Sequence, residues 1–229
     1  MSGDAAGWDA AVYEQVAAPQ RAWAREIISR AALRPGELVL DAGCGGGGVT
    51  KLLLADPARP RVIAVDGDAA MVEQARATLP SSVPVLHQDL LSLEVPEPVD
   101  VVFSCAVFHW ITDHDALFAR LHAALRLGGR LVAQCGGEGN IAKVIDALGE
   151  RPGRWLYANG EDTERRLRAA GFSDVHAWLE PKPTHVDDME TYIATVMLHG
   201  QPDAREAAKR AAAQLDHLDY VRLNITATA

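Results

Sequence analysis

The residues best suited to bind a ligand lie in a glycine-rich stretch after an apolar run, Asp41-Ala42-Gly43-Cys44-Gly45-Gly46-Gly47-Gly48. Glycine lacks the side chain that would hold a ligand away, so the backbone here can approach one closely. A second apolar run ends at Asp66, where a carboxylate can accept hydrogen bonds from both hydroxyl groups of a ribose. The order of strand, glycine turn, helix, strand and acidic residue therefore predicts a nucleoside site, in preference to a tight turn followed by a solvated aspartate.

The acidic residue that opens this loop narrows the choice of ligand. A loop that binds pyrophosphate uses glycines at a helix N-terminus, normally without a carboxylate in front of them. Asp41 would repel a pyrophosphate, whereas it suits a ligand with a cationic amino-acid end. S-adenosylmethionine has that end together with a ribose and an adenine, so the sequence predicts this cofactor.

Alternating strands and helices are predicted to position these residues. Short runs that are apolar on both faces indicate strands of a parallel sheet that is covered on both sides by helices. The strict alternation of residues 220–226 is typical of an antiparallel strand. The predicted strands are 38–40, 61–66, 83–88, 99–107, 131–133, 175–179 and 220–226, and the predicted helices are 49–54, 69–78, 113–127, 141–148, 163–170, 187–198 and 204–215.

These elements predict an α/β fold with a doubly wound, seven-stranded, mostly parallel sheet. No linker divides the chain, so we expect one domain over residues 1–229, with a helical cap built from residues 1–33 and an insertion at 181–219 before the last strand. No run reaches the ~20 apolar residues of a membrane span. The absence of a signal segment and the three widely spaced cysteines favour a cytoplasmic protein.

The charge balance bears on the partners of the protein. Lysine and arginine number 22 against 31 acidic residues, a net charge of −9, which works against a surface that follows phosphates. We therefore expect a small-molecule substrate, and neither nucleic acid nor a membrane; the sequence makes no prediction of the oligomeric state. The histidines show no ligand spacing with cysteine or acidic residues, so no metal site is expected.

The motifs together resemble those of the class I S-adenosylmethionine-dependent methyltransferases, strongly from about residue 38 to 137. The matching segments are Val39-Leu40-Asp41-Ala42-Gly43-Cys44-Gly45, Val65-Asp66, Gln88-Asp89-Leu90 and Leu125-Arg126-Leu127-Gly128-Gly129-Arg130-Leu131. The resemblance implies a Rossmann-like fold and a cofactor site. Its implied members are Asp41, Gly43 and Gly45 at the methionine part, Asp66 at the ribose, Asp89 at the adenine amino group, and Met71 and Leu90 as apolar walls of the adenine.

Two positions depart from the family pattern. Gly67 stands where a larger apolar residue is common, and Leu127 replaces the usual proline before the glycine pair. We still assign Gly67 to the cofactor site, together with Cys105 at the end of the fourth strand and Trp23 in the N-terminal segment. For Cys105 a small buried thiol without a role is the alternative.

The segment after the fourth strand, ending in His109-Trp110, lies where the reaction takes place in such folds. It lacks the Asn/Asp-Pro-Pro-Tyr/Phe tetrapeptide with which resembling enzymes methylate amide or base nitrogens. It is instead similar to small-acid carboxyl methyltransferases that act on trans-aconitate or on a malonyl thioester. That resemblance implies a substrate site formed by Tyr13, His109, Trp110 and Tyr192, with the N-terminal segment and the insertion closing over the substrate.

The need for a catalytic base depends on the acceptor. Alignment of nucleophile, methyl and sulfur alone can supply on the order of 7–11 kcal/mol. A carboxylic acid with a pKa near ~4 is already ionised and needs no base, whereas a phenol would benefit from one, and His109 is then the catalytic candidate. A packed, hydrogen-bonded histidine without a catalytic role is the alternative at this position.

The sequence thus predicts an enzyme that transfers methyl from S-adenosylmethionine to a small molecule, at an oxygen and with a carboxylate as the expected acceptor. Methylation of a metabolite at carbon or nitrogen is one alternative. A relative that binds the cofactor without transferring methyl, with a pericyclase-like or regulatory role, is another, because a fold does not determine a function.

Overall fold

The computed structural model of the protein describes residues 18–149, 155–198, 201 and 203–229. The strands are β1 (Leu38–Ala42), β2 (Arg61–Asp66), β3 (Val85–His87), β4 (Val99–Cys105), β5 (Leu125–Gly136), β6 (Ser173–Thr184) and β7 (Leu218–Thr228). The α-helices are α1 (Ala18–Ala31), α2 (Gly48–Leu54), α3 (Ala69–Thr78), α4 (His114–Ala124), α5 (Ala142–Leu148), α6 (Gly160–Ala169), α7 (Met189–Tyr192) and α8 (Ala204–Ala212). None of these described helices is long and apolar enough to cross a membrane.

The strands form one seven-stranded sheet in the order β3-β2-β1-β4-β5-β7-β6. β1 to β5 pair in parallel, and β7 is antiparallel to both β5 and β6. The chain order reverses between β1 and β4, and in such sheets this point opens a crevice beyond the carboxyl ends of the strands. The predicted doubly wound sheet, including its antiparallel last strand, is confirmed.

Both faces of the sheet are buried. Leu38 and Leu40 of β1 pack in a cluster with Leu117 of α4, whereas Val39 lies in a second cluster with Ile27 of α1. Successive side chains of a strand point to opposite faces, so β1 is apolar throughout because helices cover it on both sides. This packing fixes the carboxyl ends of the parallel strands, where the glycine loop begins.

The cap has an apolar cluster of its own. It joins Trp23 of α1 and Tyr192 of α7 to Tyr220 of β7. The helical insertion is shorter than predicted, because β6 continues through Pro181 and Pro183 and leaves only residues 185–217 between the last two strands. Proline lacks a donor but is tolerated in an edge strand, and β6 lies at the edge of the sheet.

Two of the predicted helices differ in extent or in type from the helices of the structure. The helix predicted over 113–127 stops at Ala124, because the backbone is extended at Leu125 and Gly128 has a φ of +76°, which no helix residue adopts. The helix predicted over 187–198 consists of one short α-helical segment, α7, followed by a π-helical turn at Ile193–Met197. π-helical turns are frequent at functional sites, and Val196 of this turn lines the cavity described next.

Candidate active site

A cavity of about 390 Å³ lies at the carboxyl ends of the parallel strands. Its lining residues are Trp23, Gly43, Gly45, Asp66, Gly67, Met71, Asp89, Leu90, Cys105, Ala106, Val107, His109, Trp110, Ile111, Val196, Tyr220 and Arg222. The structure thus brings most of the predicted site residues together around one cavity. Asp41 and Tyr192 do not line this cavity, and Tyr13 falls outside the described residues.

The glycine loop is held against β2 by backbone hydrogen bonds. The amides of Gly43 and Cys44 both donate to the carbonyl oxygen of Val65, at 2.9 Å. Gly43 has a φ of +86°, and a Cβ atom there would lie 2.2 Å from Cγ2 of Val107. Only glycine fits this combination of a left-handed backbone and a close neighbour, so the loop can pass directly beneath the cavity.

Asp66 connects the glycine loop to the turn that follows β2. One carboxylate oxygen accepts the Gly45 amide at 2.8 Å and the other accepts the Asp68 amide at 2.9 Å. Burial raises the pKa of Asp66 against these hydrogen bonds. An ionised carboxylate offers about four acceptor positions, so about two remain for hydroxyl groups of a ligand in the cavity.

Asp41 faces the protein interior. Its side chain is 1% exposed, and Oδ2 accepts a hydrogen bond of 2.7 Å from Oγ1 of Thr50 in α2. Burial raises its pKa to about 7, with the negative charge of Asp66 adding to the effect. Asp41 therefore fixes the start of α2 behind the loop, and the predicted direct contact with a cationic ligand group has no support in this geometry.

The far end of the cavity, at β2 and β3, is largely apolar. Met71 of α3 and Leu90 are buried and line it. Asp89 also lies on this wall, and its Oδ1 accepts the amide of Leu91 at 2.9 Å, which caps the short 3-10 turn Leu90–Ser92. This end combines two apolar walls with one carboxylate, a combination suited to an adenine ring and its amino group.

Cys105 ends β4 and lines the middle of the cavity. Burial raises the pKa of its thiol to about 12, against the opposing charge of Arg222. The thiol is therefore neutral and forms part of the wall. In the part of the chain that the structure describes, no group of three or more His, Cys, Asp or Glu side chains is arranged to hold a metal ion.

His109 is buried at the wall and is oriented by the backbone of β5. The Gly136 amide donates to Nδ1 at 3.3 Å, which places the proton of the neutral ring on Nε2. Burial, the charge of Arg222 and the neighbouring His114 hold the pKa of His109 well below its usual value. The ring is thus neutral, with a donor at Nε2, and is poorly suited to accept a proton.

A buried arginine that the sequence analysis did not single out lines the same cavity. Arg222 pairs with Gly136 across β7 and β5, and is 1% exposed. Its Nη2 has no hydrogen-bond partner among the described residues, and no described carboxylate forms an ion pair with it. A buried charge without a partner is costly, so this geometry points to an anionic ligand.

Aromatic residues surround the guanidinium of Arg222. Its Cζ lies 4.4 Å from the ring centroid of Trp23 and 5.8 Å from that of Tyr220. The Tyr220 hydroxyl shares a 2.8 Å hydrogen bond with that of Tyr192, so Tyr192 supports the wall from behind. Trp23 therefore lies at the arginine end of the cavity, although its sequence assignment was to the cofactor.

One feature of the sequence bears on the placement of Arg222. The alternating pattern of residues 220–226 places Arg222 on the same strand face as Tyr220 and Asn224. Arginine is almost never fully buried unless it is paired, so a cation on the polar face of a strand is by default expected to meet solvent. The pattern alone did not say whether that face would meet solvent or the cavity.

Comparisons with known proteins agree with this geometry. A family model described as a methyltransferase domain matches residues 39–129. The trans-aconitate 2-methyltransferase of Rhizobium etli is 33% identical over 188 residues, which cover 80% of this chain and 72% of that enzyme.

Solved structures share the fold. Phosphoethanolamine N-methyltransferase 2 of Haemonchus contortus, in complex with S-adenosyl-L-methionine, has a TM-score of 0.69 at 20% identity, covering 96% of this chain and 56% of that one. The 4+2 cyclase SpnF has a TM-score of 0.65 at 18% identity, covering 91% of this chain and 80% of that one. Taken with the sequence relatives, the glycine loop and the strand order, these matches show that the chain belongs to the class I S-adenosylmethionine-dependent methyltransferases.

Proposed function

We propose that the protein transfers methyl from S-adenosylmethionine to a carboxylate of a small acid that carries at least two carboxylates. The observation that carries this proposal is the buried guanidinium of Arg222 at the cavity wall, which pairs with no carboxylate of the described residues. The trans-aconitate 2-methyltransferases at about one-third identity support it, since their name specifies an acceptor of this class.

The cofactor end fits S-adenosylmethionine, which supplies an activated methyl group when bound. The close approach of the Gly43 and Gly45 backbone leaves space for the amino-acid part of the ligand. The free acceptor positions of Asp66 suit a ribose, and the apolar pair of Met71 and Leu90 suits an adenine.

The two ends of the site lie far enough apart for a cofactor and an acceptor. β2, which carries Asp66, and β7, which carries Arg222, are four positions apart in the sheet. At a spacing of about 4.8 Å between strands, this is a separation of about 19 Å. Cys105 of β4 lies between them, so the reacting groups would meet near the end of β4.

The acceptor end explains why a second carboxylate is needed. A carboxylate that is paired with Arg222 has its charge satisfied and is a weaker nucleophile. The reacting carboxylate must then be another one on the same molecule, directed toward the cofactor. It is ionised at neutral pH with a pKa near ~4, so a proton acceptor is not required.

The test is incubation with methyl-labelled S-adenosylmethionine and a panel of acceptors. The panel contains trans-aconitate, simple dicarboxylates, monocarboxylates, phenols and amines. We expect label on the polycarboxylates, recovered as base-labile methyl esters. Label on amines alone would reject the proposal, and tight cofactor binding without transfer to any acceptor would favour a protein that does not transfer methyl.

His109 is expected to act as a hydrogen-bond donor and not as a base. In His109→Gln the side-chain amide keeps a donor, so we expect kcat on a polycarboxylate to fall by no more than about ten-fold, whereas a lost general base costs about 10²–10⁴-fold. His122→Gln is the matched control, because His122 packs on Phe172 and does not line the cavity. A larger loss that added imidazole restores would identify His109 as a base.

A further inference from the structure

A chain of buried amides lies directly behind Arg222. Gln134 of β5 and Asn224 of β7 face each other across the two strands, and both side chains are fully buried. Oε1 of Gln134 accepts from Nε of Arg222 at 3.3 Å, and Nε2 of Gln134 donates to Oδ1 of Asn224 at 2.8 Å. Gln134 and Asn224 do not line the cavity, so they can act on a ligand only through Arg222.

The orientation of both side-chain amides is set by their hydrogen-bond partners, starting with the charged residues that contact Asn224. Asn224 Oδ1 accepts from Nη1 of Arg30 at 2.7 Å, and its Nδ2 donates to Oε2 of Glu180 at 3.1 Å. Arginine can only donate and an ionised carboxylate can only accept, so the reverse orientation of Asn224 would leave two clashing pairs. With Asn224 fixed, Gln134 must present its oxygen to Arg222.

The charged groups of the described residues around these two amides balance one another, apart from Arg222. Arg30 and Glu180 flank Asn224, and Lys182 bridges Glu180 at 3.0 Å and Glu26 at 2.7 Å. Burial is the largest single influence on Glu180 and opposes its ionisation, but the hydrogen bonds from Lys182 and Asn224 and the charges of Lys182 and Arg30 together outweigh it and lower the Glu180 pKa. Two cations and two carboxylates therefore balance, and Arg222 keeps the uncompensated positive charge.

We propose that Gln134 and Asn224 are positioning residues that hold the guanidinium of Arg222 at the cavity and leave its charge available, which makes the site prefer multiply charged acids. This inference rests on the proposed function and adds the residues that set its selectivity. The neutral amide at 134 is the decisive feature. A glutamate there would keep the shape and the hydrogen bond from Arg222, although it would lose the one to Asn224. It would pair with Arg222 and remove the charge that attracts the acid.

Two variants of Gln134 separate the effect of the position of the Arg222 guanidinium on acceptor binding from the effect of its charge. Gln134→Glu keeps the acceptor and neutralises Arg222, so we expect the Kd of trans-aconitate for the protein saturated with S-adenosylhomocysteine to rise about 100-fold. Gln134→Met removes the acceptor and keeps the charge, so we expect a rise of about ten-fold. Asn224→Leu frees the Gln134 amide to rotate, so its Kd for trans-aconitate should be similar to that of Gln134→Met.

The control for charge is Gln214→Glu, which adds the same charge at an exposed position of the cap and should leave the Kd of trans-aconitate unchanged. The neutral trimethyl ester of trans-aconitate provides a second comparison. Its Kd should be equal in the wild type and in Gln134→Glu, because it carries no charge for Arg222 to bind. General damage to the fold would instead weaken the binding of both trans-aconitate and its trimethyl ester.

A spectroscopic measurement tests the positioning without any acceptor. The Nε–H resonance of Arg222 in ¹⁵N-arginine-labelled protein, assigned by its loss in Arg222→Lys, should be protected from exchange in the wild type and in Gln134→Glu but not in Gln134→Met. Unchanged protection in Gln134→Met, or wild-type affinity for trans-aconitate in Gln134→Glu, would overturn the inference. If the wild type itself binds and methylates no acid, the proposed function and the charge preference both fail. The exchange protection of the Arg222 Nε–H then remains the one test of whether Gln134 positions the guanidinium.

Discussion

Replacement of Arg222 by methionine is expected to weaken the binding of a polycarboxylate acceptor by about 10²–10³-fold, the usual cost of removing one partner of a buried charge pair. S-adenosylhomocysteine affinity should stay within about three-fold, because the cofactor residues lie on other strands. Calorimetry with each ligand separates these two effects. The variant should lose little thermal stability. The guanidinium is buried without an anionic partner among the described residues, and relief of that cost by an apolar side chain offsets the loss of the hydrogen bond to the buried Gln134 oxygen.

Two further variants control this prediction. Arg222→Lys keeps the charge but loses the planar fork, so it should bind the acid with an affinity between those of the wild type and Arg222→Met. Arg210→Met removes an exposed arginine of the cap and should change the affinity for neither ligand. If Arg222→Met methylates the acid with an unchanged KM, the guanidinium does not bind the acceptor.

The position of Arg222 also reconciles an acidic protein with the acidic substrate that we propose. A net charge of −9 would repel a polyanion if all charges acted equally. Charges at the surface are screened beyond about 8 Å at physiological ionic strength, whereas a buried guanidinium acts through low-dielectric surroundings. At the end of the cavity that Arg222 lines, away from Asp66 and Asp89, the charge of this guanidinium therefore outweighs the net charge of the whole molecule.

The residues that line the proposed cofactor end of the cavity could be brought together from the sequence, because this part of the cavity is encoded locally. Gly43, Gly45 and Asp66 lie on one β–α–β unit, and their residue types follow from backbone geometry and hydrogen bonding within that unit. Asp41 belongs to the same motif, yet its side chain turns inward to Thr50. A motif fixes the path of the backbone, but which way a side chain points depends on packing that the motif does not contain.

The acceptor half depends on contacts between distant parts of the chain. Arg222 reaches the cavity because β7 inserts between β5 and β6 and pairs with both. The predicted strand 175–179 is shorter than β6, because β6 continues through Pro181 and Pro183, which an edge position tolerates. Strand order is a tertiary property, and without it the sequence could not show that Arg222 faces Trp23 and His109.

Replacement of Asp66 by alanine is expected to weaken S-adenosylmethionine binding by about 10²–10⁴-fold, because hydrogen bonds to a charged acceptor contribute about 1.5–3 kcal/mol each and the ribose would lose two. Calorimetric titration with S-adenosylhomocysteine measures this directly. The same variant also releases the amides of Gly45 and Asp68, so part of the loss would come from a loosened glycine loop.

Two companion variants separate these contributions. Asp66→Asn keeps one acceptor oxygen but loses the charge, and should retain more affinity than alanine. Asp68→Ala removes the N-cap of α3, whose carboxylate accepts the amides of Ala70 and Met71, and should lower stability by about 1 kcal/mol with little change in cofactor affinity. If Asp66→Ala binds the cofactor as the wild type does, the carboxylate that ends β2 does not hold the ribose. Loss of affinity in Asp68→Ala equal to that in Asp66→Ala would instead assign the effect to the shape of the loop, since only Asp66 lines the cavity.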